Sequence, residues 1–348
     1  MVDDELRQRL LRRGVHPNAL AGLDDYAMIG LTGDLALSQG LDLTLPQLVA
    51  RCGADVVEVR RLYDALGLDV DELAGFGDDD VALVSLAVDD ASGIIDEVST
   101  QLFRVAGTSL RRIAEAVVAA YVQDVEAPAD GDGINPLELA ELNEYASGLL
   151  MSFADTIGVL FRHHMWVAVR RQRAGQEGLT ERRLIRMGLA FVDLVGFTPI
   201  SRSLTPGELI EVIEKFEHTA FEVTVGHGGR VVKSIGDEVM VAAADHDTVA
   251  AIAVELVGTF EGHPSIQPRA GVSAGEVLFR LGDYYGPVVN LASRLADVAE
   301  PGEVLTDRHE PTSDRIDFTG LGQRRLKGFE RAVPVWSIRP RHRQGRQV

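Results

Sequence analysis

Two hydrophobic rhythms divide this chain of 348 residues. Through the first half, apolar residues recur at spacings of three and four, as in LPQLVARC, VVEVRRLYDALGL and STQLFRVAGTSLRRIAEAVVAAYVQDV. That rhythm predicts helices of about 8 to 20 residues, with scarcely a strand signal, and hence an all-helical domain. From residue 187 the pattern changes. MGLAFVDL reads as a buried strand, and TPGELIEVIEKFEHTAFEVTVGHGG reads as a helix with Thr205 and Glu208 as capping box. RVVKSIGDEVMVAAA reads as two β runs around the turn Ile235-Gly236-Asp237-Glu238. A helix over about 246–261, the strand PRAGVSAGEVL, the helix VVNLASRLADVA and terminal β segments complete a second domain that mixes helices and strands.

Between the two lie APADGDGINP, 127–136, a loop by composition, and the helix start Asn135-Pro136-Leu137-Glu138, with an N-cap, a first-turn proline and a capping-box glutamate. DGDG does not make a calcium loop, because Ile134 and Asn135 stand where an oxygen ligand and the glycine are needed. The helix that starts there is expected to run to about residue 173, and GQEG, 175–178, breaks the chain after it. The expected division is an all-helical domain over 1–160, a connector over 161–182 and a domain of mixed helices and strands over 183–348.

Charge sharpens this picture. The net charge is -19, and residues 1–150 carry 28 acidic and 10 basic residues, against 25 and 24 in the remainder. An acidic first half repels phosphate backbones, so nucleic acid is not expected as a partner, even though residues 44–68 have the spacing of a helix-turn-helix with Thr44 as N-cap. The stretch 161–186 is basic instead, with seven arginines against two glutamates, and contains His163 and His164, side chains with an ordinary pKa of about 6.5. These two are the candidate regulatory residues. No apolar run reaches the roughly 20 residues of a membrane span and the N-terminus lacks a signal-peptide pattern, so no transmembrane segment and a cytoplasmic location are expected. The lone Cys52 excludes an intrachain disulfide and is expected to pack as a small apolar residue.

Two carboxylates stand at the edges of apolar β runs, Asp193 in FVDLVGFT and Asp237 in KSIGDE. Side by side they repel unless a cation lies between them, and hard divalent ions take such oxygen ligands while keeping positions for phosphate oxygens. The turn behind Asp193, including Phe197 and Thr198, presents backbone N–H groups just before a helix, a cradle for phosphate.

FVDLVGFT, KSIGDE, GDYYGPVVNLASR and RLKGF resemble, in order and spacing, the motifs of class III nucleotidyl cyclases, and the resemblance covers about residues 186–340. It implies an α+β fold, a cyclase homology domain with a ferredoxin-like core, behind an all-α regulatory domain, and conversion of ATP to 3′,5′-cyclic AMP and pyrophosphate. Within that class, a helical domain ahead of a soluble cyclase is similar to the pH-sensing mycobacterial members. By the resemblance, Asp193 and Asp237, with the Leu194 carbonyl, bind two divalent metal ions, Mg²⁺ or Mn²⁺. Lys233 and Asp283 select the purine. Their chemistry suits adenine, since a lysine donates to N1 and an aspartate accepts from the 6-amino group. Asn290 orients the ribose, Arg294 stabilises charge on the α-phosphate, and Lys327 binds the terminal phosphates. Each half of a site comes from a different subunit in this class, which implies a homodimer with two composite active sites. Where many members have a histidine, this chain has Ser273. The alternatives are a catalytically inactive nucleotide-binding or dimerisation module, and a DNA-binding regulator.

Overall fold

The computed structural model describes residues 2–88, 96–123, 135–181, 183–197, 202–263, 266–309 and 316–341. It divides into two compact units, Met1–His164 and Met165–Val348.

The described part of the first unit is helical: α1 (Val2–Arg12), α2 (Asp25–Leu37), α3 (Leu45–Cys52), α4 (Val56–Leu66), α5 (Asp78–Val88), α6 (Asp96–Tyr121) and the start of α7 (Pro136–Gly175). Local chemistry fixes their ends. The Thr44 and Gln47 side chains form a capping box on α3, Asp55 and Glu58 do so on α4, and Gly53 and Gly67 close both helices in the left-handed region. Two apolar clusters hold the unit. Leu6, Leu10 and Met28 pack with Leu139 and Ala140 of α7, and Leu48, Val59, Tyr63 and Val84 form the other. Cys52 packs partly buried against this second cluster, as its apolar character suggested. Asn135 caps α7 by accepting from the N–H groups of Leu137 and Glu138.

The second unit holds an eight-stranded sheet ordered β2-β3-β1-β4-β6-β8-β7, with β5 paired to β4. Its strands are β1 (Leu184–Leu194), β2 (Arg230–Ile235), β3 (Glu238–Ala243), β4 (Pro268–Arg280), β5 (Asp283–Tyr285), β6 (Val304–Thr306), β7 (Ile316–Arg324) and β8 (Val333–Pro340). The helices are α8 (Pro206–Gly226), α9 (His246–Thr259) and α10 (Pro287–Val298). The first four strands run β1-α8-β2-β3-α9-β4 in sequence and lie antiparallel in the order β2-β3-β1-β4, the ferredoxin-like arrangement the sequence motifs implied.

Strand β1 explains why its sequence is so uniformly apolar: both of its faces are covered. Ala190, Val192 and Leu194 meet Phe216 of α8 and Ile252 and Leu256 of α9, while Ile185, Met187, Leu189 and Phe191 meet Ala292 and Ala296 of α10. Asp193 continues the second series, so the period of two places it on the α10 face. Ser273 is buried in β4. Among the described residues no helix is long and apolar enough to cross a membrane.

Candidate active site

Asp193 is the penultimate residue of β1, opposite Glu238 of β3 and Arg269 of β4. The next residue, Leu194, donates its N–H to the carbonyl of Asp237 at 3.2 Å, which fastens the β2–β3 turn to the end of β1. Both turns depend on glycine: Gly196 and Gly236 have φ of 71° and 65°, a region costly for a side chain. The two predicted metal-binding aspartates are thus neighbours, and the charge of Asp237 helps raise the pKa of Asp193.

Their surroundings are strongly acidic. Burial pushes the Asp193 carboxyl above its ordinary range; Arg269 pulls it back, and Asp237 and Asp297 push it up again. Glu238 is driven to about 7, first by burial and then by Asp193, Asp297 and Asp237. Arg269 donates to Asp193 and also binds the carbonyls of Asp297 and Ala299 at 2.8 and 3.1 Å. Gathered carboxylates with one guanidinium among them suit a hard cation. Among the described residues no three His, Cys, Asp or Glu side chains form a ready cage. Two carboxylates with open positions fit the way Mg²⁺ is held, since it shares its coordination between protein and phosphate oxygens.

The predicted purine pair is also brought together. Lys233 Nζ donates to Asp283 Oδ2 at 2.5 Å across 50 residues of sequence, and the N–H of Tyr284 donates to Asp283 Oδ1 at 2.8 Å. Lys233 lies opposite Met240, a core residue of the α10 face, so the lysine and Asp193 share one side of the sheet. Helix α10 carries Asn290, exposed, and Arg294, whose Nη1 donates to Asp297 Oδ2 at 2.5 Å. The helix sits tight on β4, because a Cβ on Gly271 would collide with the backbone of Ala292 and Ala296.

The remaining candidates stand apart from these contacts. Phe197 packs half-buried against the core on the α8 and α9 side, and Thr198 lies outside the described residues. Lys327 is exposed after the buried Leu326. His163 and His164 are exposed on α7. Three residues of the cluster escape a reading by motif alone: Arg269, Glu238 and Asp297. The pairing of β4 with β1 would have pointed to Arg269, and the adjacency of Glu238 to Asp237 was a signal in the sequence itself.

Residues 180–335 match the family model of the adenylate and guanylate cyclase catalytic domain. An adenylate cyclase of Streptomyces coelicolor is 32% identical to this chain over 84% of it and 80% of the relative. A pH-sensitive adenylate cyclase of Mycobacterium tuberculosis is 26% identical over 96% of this chain and 87% of its own. The crystal structure of the adenylyl cyclase CyaB from Pseudomonas aeruginosa matches with a TM-score of 0.41 and 26% identity, covering 46% of this chain and 96% of that one. The second unit is a cyclase catalytic domain, and the chain belongs to the adenylate and guanylate cyclase family.

Proposed function

We propose that this protein is an adenylate cyclase that works as a homodimer, converting ATP to 3′,5′-cyclic AMP and pyrophosphate, with its helical unit (expected over 1–160) as regulator, a connector over 161–182 and catalysis in 183–348. The observation that carries this is the closure of Lys233 on Asp283 on the same sheet face as Asp193, whose carboxyl senses the charge of Asp237. A purine-reading pair and a phosphate-metal pair are the two halves that cyclisation of a purine nucleotide requires.

The 3′-oxygen of ATP attacks the α-phosphorus; the new O–P bond forms as the bond to the β-phosphate bridge breaks, and pyrophosphate leaves. Asp193 and Asp237, with the Leu194 carbonyl, would hold two divalent ions, Mg²⁺ or Mn²⁺, which when bound lower the pKa of the 3′-hydroxyl and neutralise phosphate charge. Lys233 donates to adenine N1 and Asp283 accepts from the 6-amino group. Asn290 orients the ribose, Arg294 turns from Asp297 to the charge developing on the α-phosphate, and Lys327, Phe197 and Thr198 take the terminal phosphates.

Dimerisation is supported by apolar surface around the purine pair. Ile235, Leu278, Leu281 and Tyr285 are all exposed, and Leu278 and Tyr285 are direct register partners. Two composite sites follow if one copy supplies the aspartates and the other the purine pair and α10. Mutual positioning then controls rate, because alignment of the 3′-oxygen with the α-phosphorus is lost by shifts of about 1 Å. His163 and His164 lie on α7, the helix that leads to the catalytic unit, and protonating them would change its charge. A location in the cytoplasm accords with the ATP substrate.

The test is cyclic AMP formation from ATP with Mn²⁺, over about pH 5.5 to 8, where histidine titrates. Activity that is lost in Asp193→Asn and in Asp237→Asn, and that rises in specific terms with protein concentration, is expected. A wild-type chain that binds ATP without product would identify an inactive nucleotide-binding module. An unaltered pH profile in His163→Gln/His164→Gln would remove the regulatory role of the histidines.

A further inference from the structure

A pocket of about 540 Å³ opens in the second unit at the end of β1 remote from Asp193. Met187, in its wall, precedes Asp193 by six residues, ~20 Å of extended strand. Three arginines from three elements line it: Arg171 near the end of α7, Arg186 of β1 and Arg230 at the start of β2. Ala242 and Met187 make an apolar wall, and the acid among the lining residues is Glu177.

Arg230 is the unusual member. Its guanidinium carbon lies over the Tyr284 ring, 4.8 Å from the centroid, and over the Phe279 ring at 5.9 Å. Attraction between a cation and a ring face uses none of the group's N–H donors. Its Nε is buried and has no hydrogen-bond partner among the described residues. Burial, and next the charge of Arg171, hold its pKa below the ordinary value. Arg186 has a partner, Glu276 at 3.3 Å. Among the described residues neither Arg171 nor Arg230 has a carboxylate partner, and Glu177, exposed, pairs with neither. Two guanidiniums therefore repel each other beside a pocket, one of them partly desolvated, with no carboxylate side chain of the described residues paired to either. Side-chain packing alone would be served better by an uncharged residue.

We propose that this pocket binds a small organic phosphate, the phosphate group held by Arg230 and Arg171 and the body of the molecule lying against Met187 and Ala242. Guanidiniums match phosphate oxygens in bidentate geometry, and a phosphomonoester carries about -1.5 to -2 charges near neutral pH, enough to answer both unpaired arginines. A monocarboxylate answers only one. The volume falls within the range of about 300 to 1,000 Å³ typical of small-molecule sites.

Occupancy would join two elements that matter for turnover. Arg171 belongs to the helix that leads into the catalytic unit, and Arg230 opens the strand that carries Lys233 and ends just before Asp237. That consequence rests on the proposed function; binding does not.

The experiment is isothermal titration of the full-length chain with phenyl phosphate. It uses a Lys327→Gln background, which removes a phosphate contact assigned to the active site. Saturable binding is expected, weakened about tenfold or more by adding Arg171→Gln and likewise by adding Arg230→Lys, which keeps the charge and loses the fork. Arg171 is exposed on a helix, so its replacement leaves the fold intact even if Arg230 variants do not fold. Benzoate, a similar body on a monoanion, is expected to bind about tenfold more weakly or worse. No saturable binding, binding unchanged by Arg171→Gln, or benzoate binding as tightly as phenyl phosphate would each overturn the proposal. Because the readout is heat, a chain that made no cyclic AMP would still test it, and its failure would leave the cyclase function standing.

Discussion

Arg269 gives two N–H groups to a single carboxylate oxygen of Asp193, from Nε at 3.0 Å and from Nη2 at 2.9 Å. Its third nitrogen ties to the carbonyls of Asp297 and Ala299, so one guanidinium fastens the end of β1 to the end of α10. Both side chains are only about a fifth exposed, 22% and 21%. Arg269→Gln would leave a half-buried carboxylate and two carbonyls short of a strong donor. We expect a loss of about 1–3 kcal/mol in unfolding free energy, together with reduced cyclase activity. A urea midpoint equal to wild type would show that the bridge contributes nothing.

Lys233 and Asp283 offer a test of nucleotide choice. Held at 2.5 Å, they present a donor and an acceptor at fixed separation, and guanine carries the opposite pattern at the matching edge. A buried hydrogen-bonding site rejects a mismatched ligand by far more than an apolar one does. Replacing Lys233 by Gln, which can both donate and accept, should therefore reduce the preference for ATP over GTP at least ~10-fold in kcat/KM. Equal preference before and after the change would take Lys233 out of purine selection.

These predictions separate what the sequence declares from what only folding reveals. Asp193 and Asp237 were legible because each stands at the edge of an apolar β run beside a glycine turn, and Thr205 and Glu208 were legible because capping is local. The division at residue 187 showed itself as a change of period, although β1 begins three residues earlier, at Leu184, because Leu184 and Ile185 pair with Leu278 and Val277. Arg269 was not legible as a partner. It lies 76 residues from Asp193, and only the pairing of β4 with β1 sets them opposite. The raised pKa of Glu238 was hidden for a related reason, since a carboxylate acquires it from burial and from neighbours such as Asp297 that no short window contains. The pocket with Arg171 and Arg230 likewise draws on α7, β1, β2 and β3 together.

Gly271 joins packing to the placement of Asn290 and Arg294, the residues proposed for the ribose and the α-phosphate. It allows α10 to lie against β4 so closely that any Cβ would meet the backbone of Ala292 and Ala296, which cannot yield as a side chain would. Gly271→Ala must push the helix outward, carrying Asn290 and Arg294 with it. Overpacking of this kind costs about 1–3 kcal/mol. A displacement of about 1 Å at the reacting groups lowers turnover by ~10²-fold. Calorimetry and the cyclase assay together check this, and a variant with wild-type melting temperature and turnover would mean that the contact is loose.

His246 sets a pH dependence of stability whose sign can be worked out. It is 6% exposed at the start of α9, and its Nε2 lies 2.7 Å from Thr306 Oγ1. Burial, and then Arg308, lower its pKa to about 4, against the opposing pull of Asp247 and Asp245. Between that value and the ordinary histidine pKa of about 6.5, the unfolded chain takes up a proton that the native state refuses. This contribution is therefore fully present above about 6.5 and fades as the pH falls toward 4, by up to about 3 kcal/mol in all. Glu238 acts in the opposite sense. With a native pKa of about 7, it keeps a proton that the unfolded state has lost, so its contribution grows as the pH falls below 7. The two slopes offset one another in the whole protein, which makes the difference between His246→Gln and wild type the informative quantity. That difference should be largest near neutrality and should shrink, or change sign, as the pH is lowered toward 4. Unfolding free energies measured for both proteins across this range decide the matter: two curves that stay parallel would mean that His246 does not titrate between the native and unfolded states as its burial requires.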